Sequence, residues 1–406
     1  MEGVSSAESP SDTARSPANT PPAGQKSEGP LTGLIVADFS RVLAGPFATM
    51  MLADLGARVI KVERPGSGDD SRSYGPFLDD RSLYFARVNR GKESVALDLK
   101  DPADLEVARR LAATADVVVE NYRPGVMERL GLGYDAVVAL NPRVVYCSIS
   151  GFGHTGPWSQ RPAYDAVVQG MSGLMTITGQ TEGPPVKPGV PVSDLSAGLY
   201  AFGGITSALL CRASTGRGTH LDVAMYDATT SLLEGAALSW LATGVDPQRI
   251  GNAHFSIAPF DTFACQDRDI TLCAANDLLF AALAAVLGVP RLASDPRFVT
   301  NAARHAARAA LKGELEAVLR TAPAQHWLAE LDLAGVPCGP IVTVAEALSS
   351  EQTAVRRMVV QAGDLPAPGN PLKLSGYPDP VQRAAAPELD ADGATIRAEF
   401  GPVATR

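Results

Sequence analysis

Between Gly151 and Gly198 the chain sets one carboxylate, Asp194, among Ser193, Ser196 and Gly198, directly after a run rich in Pro and Gly. An apolar helix is predicted to follow over Leu199 to Leu210. A carboxylate at that boundary gains from free amides and the positive helix end, so Asp194 reads as an N-cap. The same placement suits a nucleophile, because an aspartate in a glycine-lined cleft can attack an activated acyl group and carry it covalently. Candidate cations lie elsewhere. Arg64 follows the predicted strand ending at Val62, and Asn121, Tyr122 and Arg123 follow another, Val117 to Glu120, with Arg129 a little beyond. A parallel sheet presents ligand-binding residues at that carboxyl edge, although each arginine also reads as an ordinary solvated charge.

The elements that must position these groups are legible as a pattern. An apolar run Leu34 to Phe39, a Gly45-Pro46 turn, a helical stretch Phe47 to Leu55 and a run Ala57 to Val62 read as strand, helix, strand. That order marks a parallel α/β sheet. Further strands are predicted at Val95 to Leu99, Val117 to Glu120 and Val144 to Ile149, with a helix over Pro102 to Thr114. The first strand lacks a following GxGxxG, which argues against dinucleotide binding. Asp227 to Gly244, Leu278 to Leu287 and Ala306 to Leu319 predict a mostly helical second unit, with strand-like Thr271 to Ala274 beside it. Residues 1–29, rich in Ser, Pro, Ala and Thr, bury too little to offset ordering entropy and are expected to be a disordered tail.

Composition narrows the classes further. The chain has 406 residues, 46% of them hydrophobic, enough for a substantial core in two domains. A net charge of -9 argues against a nucleic-acid partner. No run approaches the roughly 20 uncharged apolar residues of a membrane helix, so no membrane partner is expected. The five cysteines are scattered without a CxxC, which fits reduced thiols in a cytoplasmic setting. Five histidines without HExxH leave no metal site in view.

Several ordered blocks carry a resemblance: RVLAGPFATMMLADLGARVIKVERPGSGDDSR, NRGKESVALDL, VENYRPGVMERLGLGYD, NPRVVYCSISGFGHTGP and TGRGTHLDVAMYDA. Together with YDAVVQGMSGLM and VSDLSAGLYA they are similar to the family III coenzyme A transferases (CaiB/BaiF), and within them to the succinyl-CoA:glutarate enzymes. The resemblance implies a Rossmann-like large domain built from both chain ends, a smaller inserted domain, and two chains interlinked as a homodimer. The corresponding segments are 30–225 for the large domain, 226–335 for the small domain with linkers, and 336–406 for the return. It implies no tightly bound cofactor, an acyl-CoA and a free carboxylic acid as substrates, and Asp194 as the nucleophile. It places coenzyme A contacts on Val42, Leu43, Arg64, Leu97, Asp98, Leu99, Lys100, Asn121, Tyr122, Arg123 and Arg129.

Related acyl-CoA racemases are the competing reading, with a non-catalytic CoA-binding protein behind it. Racemases of this kind carry a histidine directly before the aspartate of an AYD-like motif. Here Tyr164 stands before Asp165, and a phenol with a pKa of about 10 is a poor base at neutral pH. Tyr164 and Asp165 are expected to line the acyl pocket. The segment Gly251 to Phe263 resembles that of the dicarboxylate transferases, and its His254 is positioned by type to bind a distal carboxylate or an oxyanion. Near the C-terminus LDADG stands where the family has an LGxHT-like element.

Overall fold

The structure, a computed structural model, describes residues 28–401, so all but the last two residues of the expected tail lie outside it. Six strands form the main sheet: β1 (Ile35–Asp38), β2 (Arg58–Glu63), β3 (Glu93–Ala96), β4 (Val117–Glu120), β5 (Val145–Ser150) and β6 (Thr219–Ala224). They lie in the order β3-β2-β1-β4-β5-β6, every neighbouring pair parallel. This is the doubly wound order, in which the sequence of strand addition reverses between β1 and β4 while all strands stay parallel. The expected parallel α/β sheet is present, with one strand more than the pattern showed. β6, with its exposed and half-buried residues, is an edge strand whose apolar signal is weak.

Six helices bear on the site: α1 (Ala44–Asp54), α2 (Leu83–Asn89), α3 (Pro102–Thr114), α4 (Asp165–Met171), α5 (Val192–Thr215) and α6 (Met225–Ser231). α3 occupies the predicted range because Asp101 caps two of its free amides and Pro102 stands at its first position. One face of the sheet is covered by α1 and α5, where Ala44, Ala48 and Leu52 meet Ala197, Ala201 and Ile205. The other face is covered by α3 through Val107, Ala108 and Leu111, joined by Ile396 and Phe400. Covering on both faces explains why β4 and β5 are apolar along most of their length rather than alternating.

α5 starts seven residues ahead of the predicted Leu199. Asp194 therefore sits inside the first turn and is not the N-cap; that place belongs to Pro191, which has no capping side chain. The free amide of Ser193 donates instead to Asp165 of α4, at 2.9 Å. α5 has the length and composition of a membrane-crossing helix, yet its inner face is a layer of the sheet's core.

A second core gathers Phe263, Ile270, Leu272, Phe280, Leu311, Leu315 and Leu331. Its sheet is antiparallel, from Phe260–Ala264, Asp269–Cys273 and Cys338–Pro340. α6 belongs to the first core through Met225 and Ala228, although the sequence reading assigned residues from 226 on to the small unit. The chain then returns to the large sheet. Asp392 and Asp390 accept the edge amides of Ser94 and Ala96 on β3, so the LDADG stretch blunts an otherwise open strand.

Candidate active site

A cleft of about 200 Å³ opens where β1 and β4 send their chains in different directions. Adjacent parallel strands whose connections diverge leave such a crevice at their carboxyl ends. Its two rims are clasped together: the Asn121 side chain donates to the Arg41 carbonyl at 2.7 Å and accepts from the Arg41 amide at 2.9 Å. Val42, Leu43, Asn121, Tyr122 and Arg123 line it, together with Tyr164 and Asp194.

The rim after β1 is held by buried charge. Lys61 of β2 lies 2.8 Å from Asp69 and donates to the Ser40 carbonyl at 2.7 Å. Asp69 in turn accepts the Val42 amide on both carboxylate oxygens at 3.1 Å. Burial opposes the charge on Asp69, but Lys61 and the Ser71 hydrogen bonds prevail and hold it down at about 2. Val42 is thereby fixed at φ +68°, a left-handed value rare for a β-branched residue. Beneath, Asp38 of β1 pairs with Lys92 at 2.9 Å and accepts from Thr49 of α1 at 2.7 Å.

Asp194 arrives from the other side on α5. Four residues on, and so on the same helix face, a Cβ at Gly198 would stand 2.8 Å from the Ala44 carbonyl and 2.9 Å from the Phe47 ring. Only glycine lets α5 cross the start of α1 this closely, which brings Asp194 to the cleft. Its carboxyl is half-buried, and burial together with the neighbouring Asp165 pushes its pKa up to about 7 against the pull of Arg87. Carboxyls perturbed in this way are concentrated at functional sites.

The other sequence-predicted residues divide. Asp165 is committed to the Ser193 amide and to the Gln169 side chain at 2.6 Å, so it acts on Asp194 through its charge. Tyr164 is 70% exposed at the cleft mouth. Arg64, Leu97 to Lys100 and Arg129 do not line the cleft; Arg64 and Leu97 to Lys100 follow β2 and β3, and Arg129 ends the short helix Val126–Arg129 beyond β4. Arg64 is exposed and donates to Ser67, while the Leu97 side chain is in the core and Asp98 accepts the Lys100 amide. His254 lines a separate cavity of about 390 Å³ with Phe260 and Lys312. Its Nδ1 accepts the amides of Ser256 and Ile257, each at 3.1 Å.

Two cations of the cleft escaped the sequence reading, Arg41 and Arg161. Both sit in loops without periodicity. The only signal was position: Arg41 follows β1, and Arg161 precedes the Tyr164-Asp165 pair.

The chain is similar to known proteins over most of its length. The profile of CoA-transferase family III matches residues 31–393. The acetyl-CoA:oxalate CoA-transferase of Acetobacter aceti is 52% identical over 376 residues, covering 92% of this chain and 97% of that protein. The succinyl-CoA:glutarate CoA-transferase of Mus musculus is 41% identical over 354 residues, covering 86% and 81%. The narrower likeness to the glutarate enzymes is thus real, but the oxalate enzyme shares more of the sequence. A crystal structure of a CAIB/BAIF family protein from Brucella suis superposes with a TM-score of 0.82 at 42% identity, covering 92% of this chain and all of that one. With a doubly wound sheet, a half-buried aspartate at its switch point and a family profile spanning almost every described residue, the chain belongs to CoA-transferase family III.

Proposed function

We propose that this CoA-transferase moves CoA from an acyl-CoA donor, foremost succinyl-CoA, to a free dicarboxylic acid such as glutarate, with Asp194 as the covalent carrier. The observation that carries the reading is the placement of Asp194: half-buried, raised to about 7, and facing a cleft whose rims hold Arg41, Arg123 and Arg161. Those cations and the loop amides suit the phosphates of coenzyme A. The named relatives that act on oxalate and glutarate support a diacid as acceptor.

The chemistry follows from what a carboxylate can do. The Asp194 carboxylate attacks the thioester carbonyl, giving an aspartyl-acyl anhydride and CoA thiolate. The thiolate attacks the aspartyl carbonyl, which releases the donor acid and leaves an aspartyl-CoA thioester. The acceptor carboxylate attacks that thioester and again frees the thiolate. Attack of the thiolate on the acceptor's carbonyl then forms the new acyl-CoA and restores Asp194. Each intermediate keeps an activated carbonyl, so no ATP and no tightly bound cofactor enter. Arg64, Leu97 to Lys100 and Arg129, around the same sheet edge, are proposed to meet the distal parts of CoA. Racemisation lacks support here, because the residue before Asp165 is Tyr164 and, among the described residues, no histidine lines the cleft.

We further propose a homodimer in the cytoplasm, with a large domain drawn from both chain ends and the smaller core inserted. Asp194→Ala tests the central claim. Transfer from succinyl-CoA to glutarate is expected to vanish while CoA still binds, and hydroxylamine trapping after incubation with acyl-CoA is expected to mark Asp194. Trapping at a cysteine or at Asp165 would overturn the assignment.

A further inference from the structure

Glu120 ends β4, directly before the Asn121 to Arg123 rim of the cleft, and is 3% exposed. Its Oε2 accepts the Tyr122 amide at 2.8 Å, and its carboxyl also takes a hydrogen bond from Ser148, the residue beside it on β5. Its Oε1 stands 4.0 Å from Nε2 of His154, in the loop after β5. That nitrogen is buried without a hydrogen-bond partner, an unfavourable state for a polar atom. The loop around it is fixed: Gly153 donates to Ser150 at 2.8 Å, and the His154 amide to Asp222 at 2.9 Å. It runs on to Ser159 and Arg161, which line the same cleft. Glu120 and His154 therefore meet between two of the loops that build the cleft, one from β4 and one from β5.

The groups around the pair bear on its proton. Asp222 on β6 and Glu128 on the short helix beyond β4 add negative charge near Glu120. Burial raises Tyr122, Tyr146 and Cys147, so all three stay neutral, and Arg41 lies 5.3 Å from the centre of the Tyr122 ring. His220 meets His154 edge-on at 5.8 Å and bonds Ser148 at 3.0 Å; burial and His154 hold its pKa down against Asp222, Glu128 and Asp135. Burial pushes Glu120 up to about 7 against its Ser148 and Tyr122 hydrogen bonds. A proton on either the carboxyl or the imidazole turns their contact into a hydrogen bond. We propose that Glu120 and His154 share one proton and act as a positioning pair, latching the loop after β5 onto the end of β4 so that the Asn121 to Arg123 rim is held in shape for coenzyme A. The inference rests on the reading of this cleft as the CoA site. Loss of the proton leaves a carboxylate facing an imidazole lone pair, and the latch opens while the Tyr122 amide stays bound. Affinity for CoA is therefore expected to weaken as pH rises through about 7.

Titration calorimetry of free CoA between pH 6 and pH 8.5 tests it, with Asp194→Ala as the reference protein so that the nucleophile does not titrate. Glu120→Gln, made in that background, keeps an oxygen for the Tyr122 amide and offers His154 an N–H at every pH. Its affinity is expected to hold where the reference weakens. The ratio of the two Kd values, in which titration of CoA itself cancels, is expected to change roughly two- to tenfold across that range, the span of one hydrogen bond. His154→Leu in the same background removes the latch and is expected to bind CoA weakly at both ends. A ratio constant with pH, or His154→Leu matching the reference at pH 6, would overturn the inference. A reference protein that binds no CoA even at pH 6 would instead sink the reading of the cleft as the CoA site.

Discussion

Burial and the charge of Asp165 hold the Asp194 carboxyl near a pKa of about 7, so its charge state changes across the physiological range. The nucleophile is the deprotonated form. The rate of aspartyl-CoA formation is therefore expected to rise with pH through about 7. Asp165→Asn removes the neighbouring charge yet keeps an oxygen for the Ser193 amide, and the otherwise unpartnered Oε1 of Gln169 can accept the new side-chain NH₂. Its single-turnover midpoint is expected to move to lower pH; an unmoved midpoint would leave burial alone as the cause. The same shift has a stability consequence. A carboxyl raised above its ordinary 3.8 favours folding while protonated, and that contribution is lost as pH rises through about 7. Asp194→Asn should therefore raise Tm more at pH 8 than at pH 5, as thermal unfolding at the two values would show.

At the scale of elements, the crossing of α1 and α5 and the buried charges under β1 to β3 carry the site. Gly198→Ala places a methyl 2.8 Å from the Ala44 carbonyl, and one helix must move. We expect kcat to fall more steeply than CoA binding, since Asp194 rides on the helix that shifts while the loop after β1 stays; equal losses in both would argue against that division. Lys92 is fully buried against Asp38. Lys92→Met removes the ion-pair partner of a buried carboxylate, a change that costs up to about 3–5 kcal/mol with Lys61 left to offset part of it, and urea unfolding should register it. Because Asp38 also holds Thr49 and Ser40, the loop carrying Val42 should loosen in the same variant.

The molecule as a whole leaves apolar surface uncovered. In the helix Glu234–Thr243 no residue is buried, and Leu238, Trp240 and Leu241 are 67%, 49% and 72% exposed. Exposed large apolar side chains concentrated on one helix suit a contact surface, and the proposed partner is a second copy. Light scattering at micromolar concentration is expected to give twice the chain mass, and Leu238→Glu with Leu241→Glu to reduce it. A single-chain mass for the native protein would refute the dimer.

The sequence by itself determined what depends on near neighbours. β1, β2, β4 and β5 and helix α3 were legible because their apolar runs and their caps lie within a few residues. Asn121, Tyr122, Arg123 and Asp194 were legible because each stands at a strand end or a helix start, where ligands are met. The family followed from ordered motifs. Only the tertiary structure decided the start of α5 and the electrostatics of Asp194, because the capping carboxylate comes from Asp165, 28 positions away. It alone separated His254 from the cleft, drew Leu97 into the core and showed that Arg72 and Arg81 are committed to Glu63 and Asp364. Periodicity reports which face of an element is buried, whereas the pairing of one charge with another is set by which elements the fold brings together.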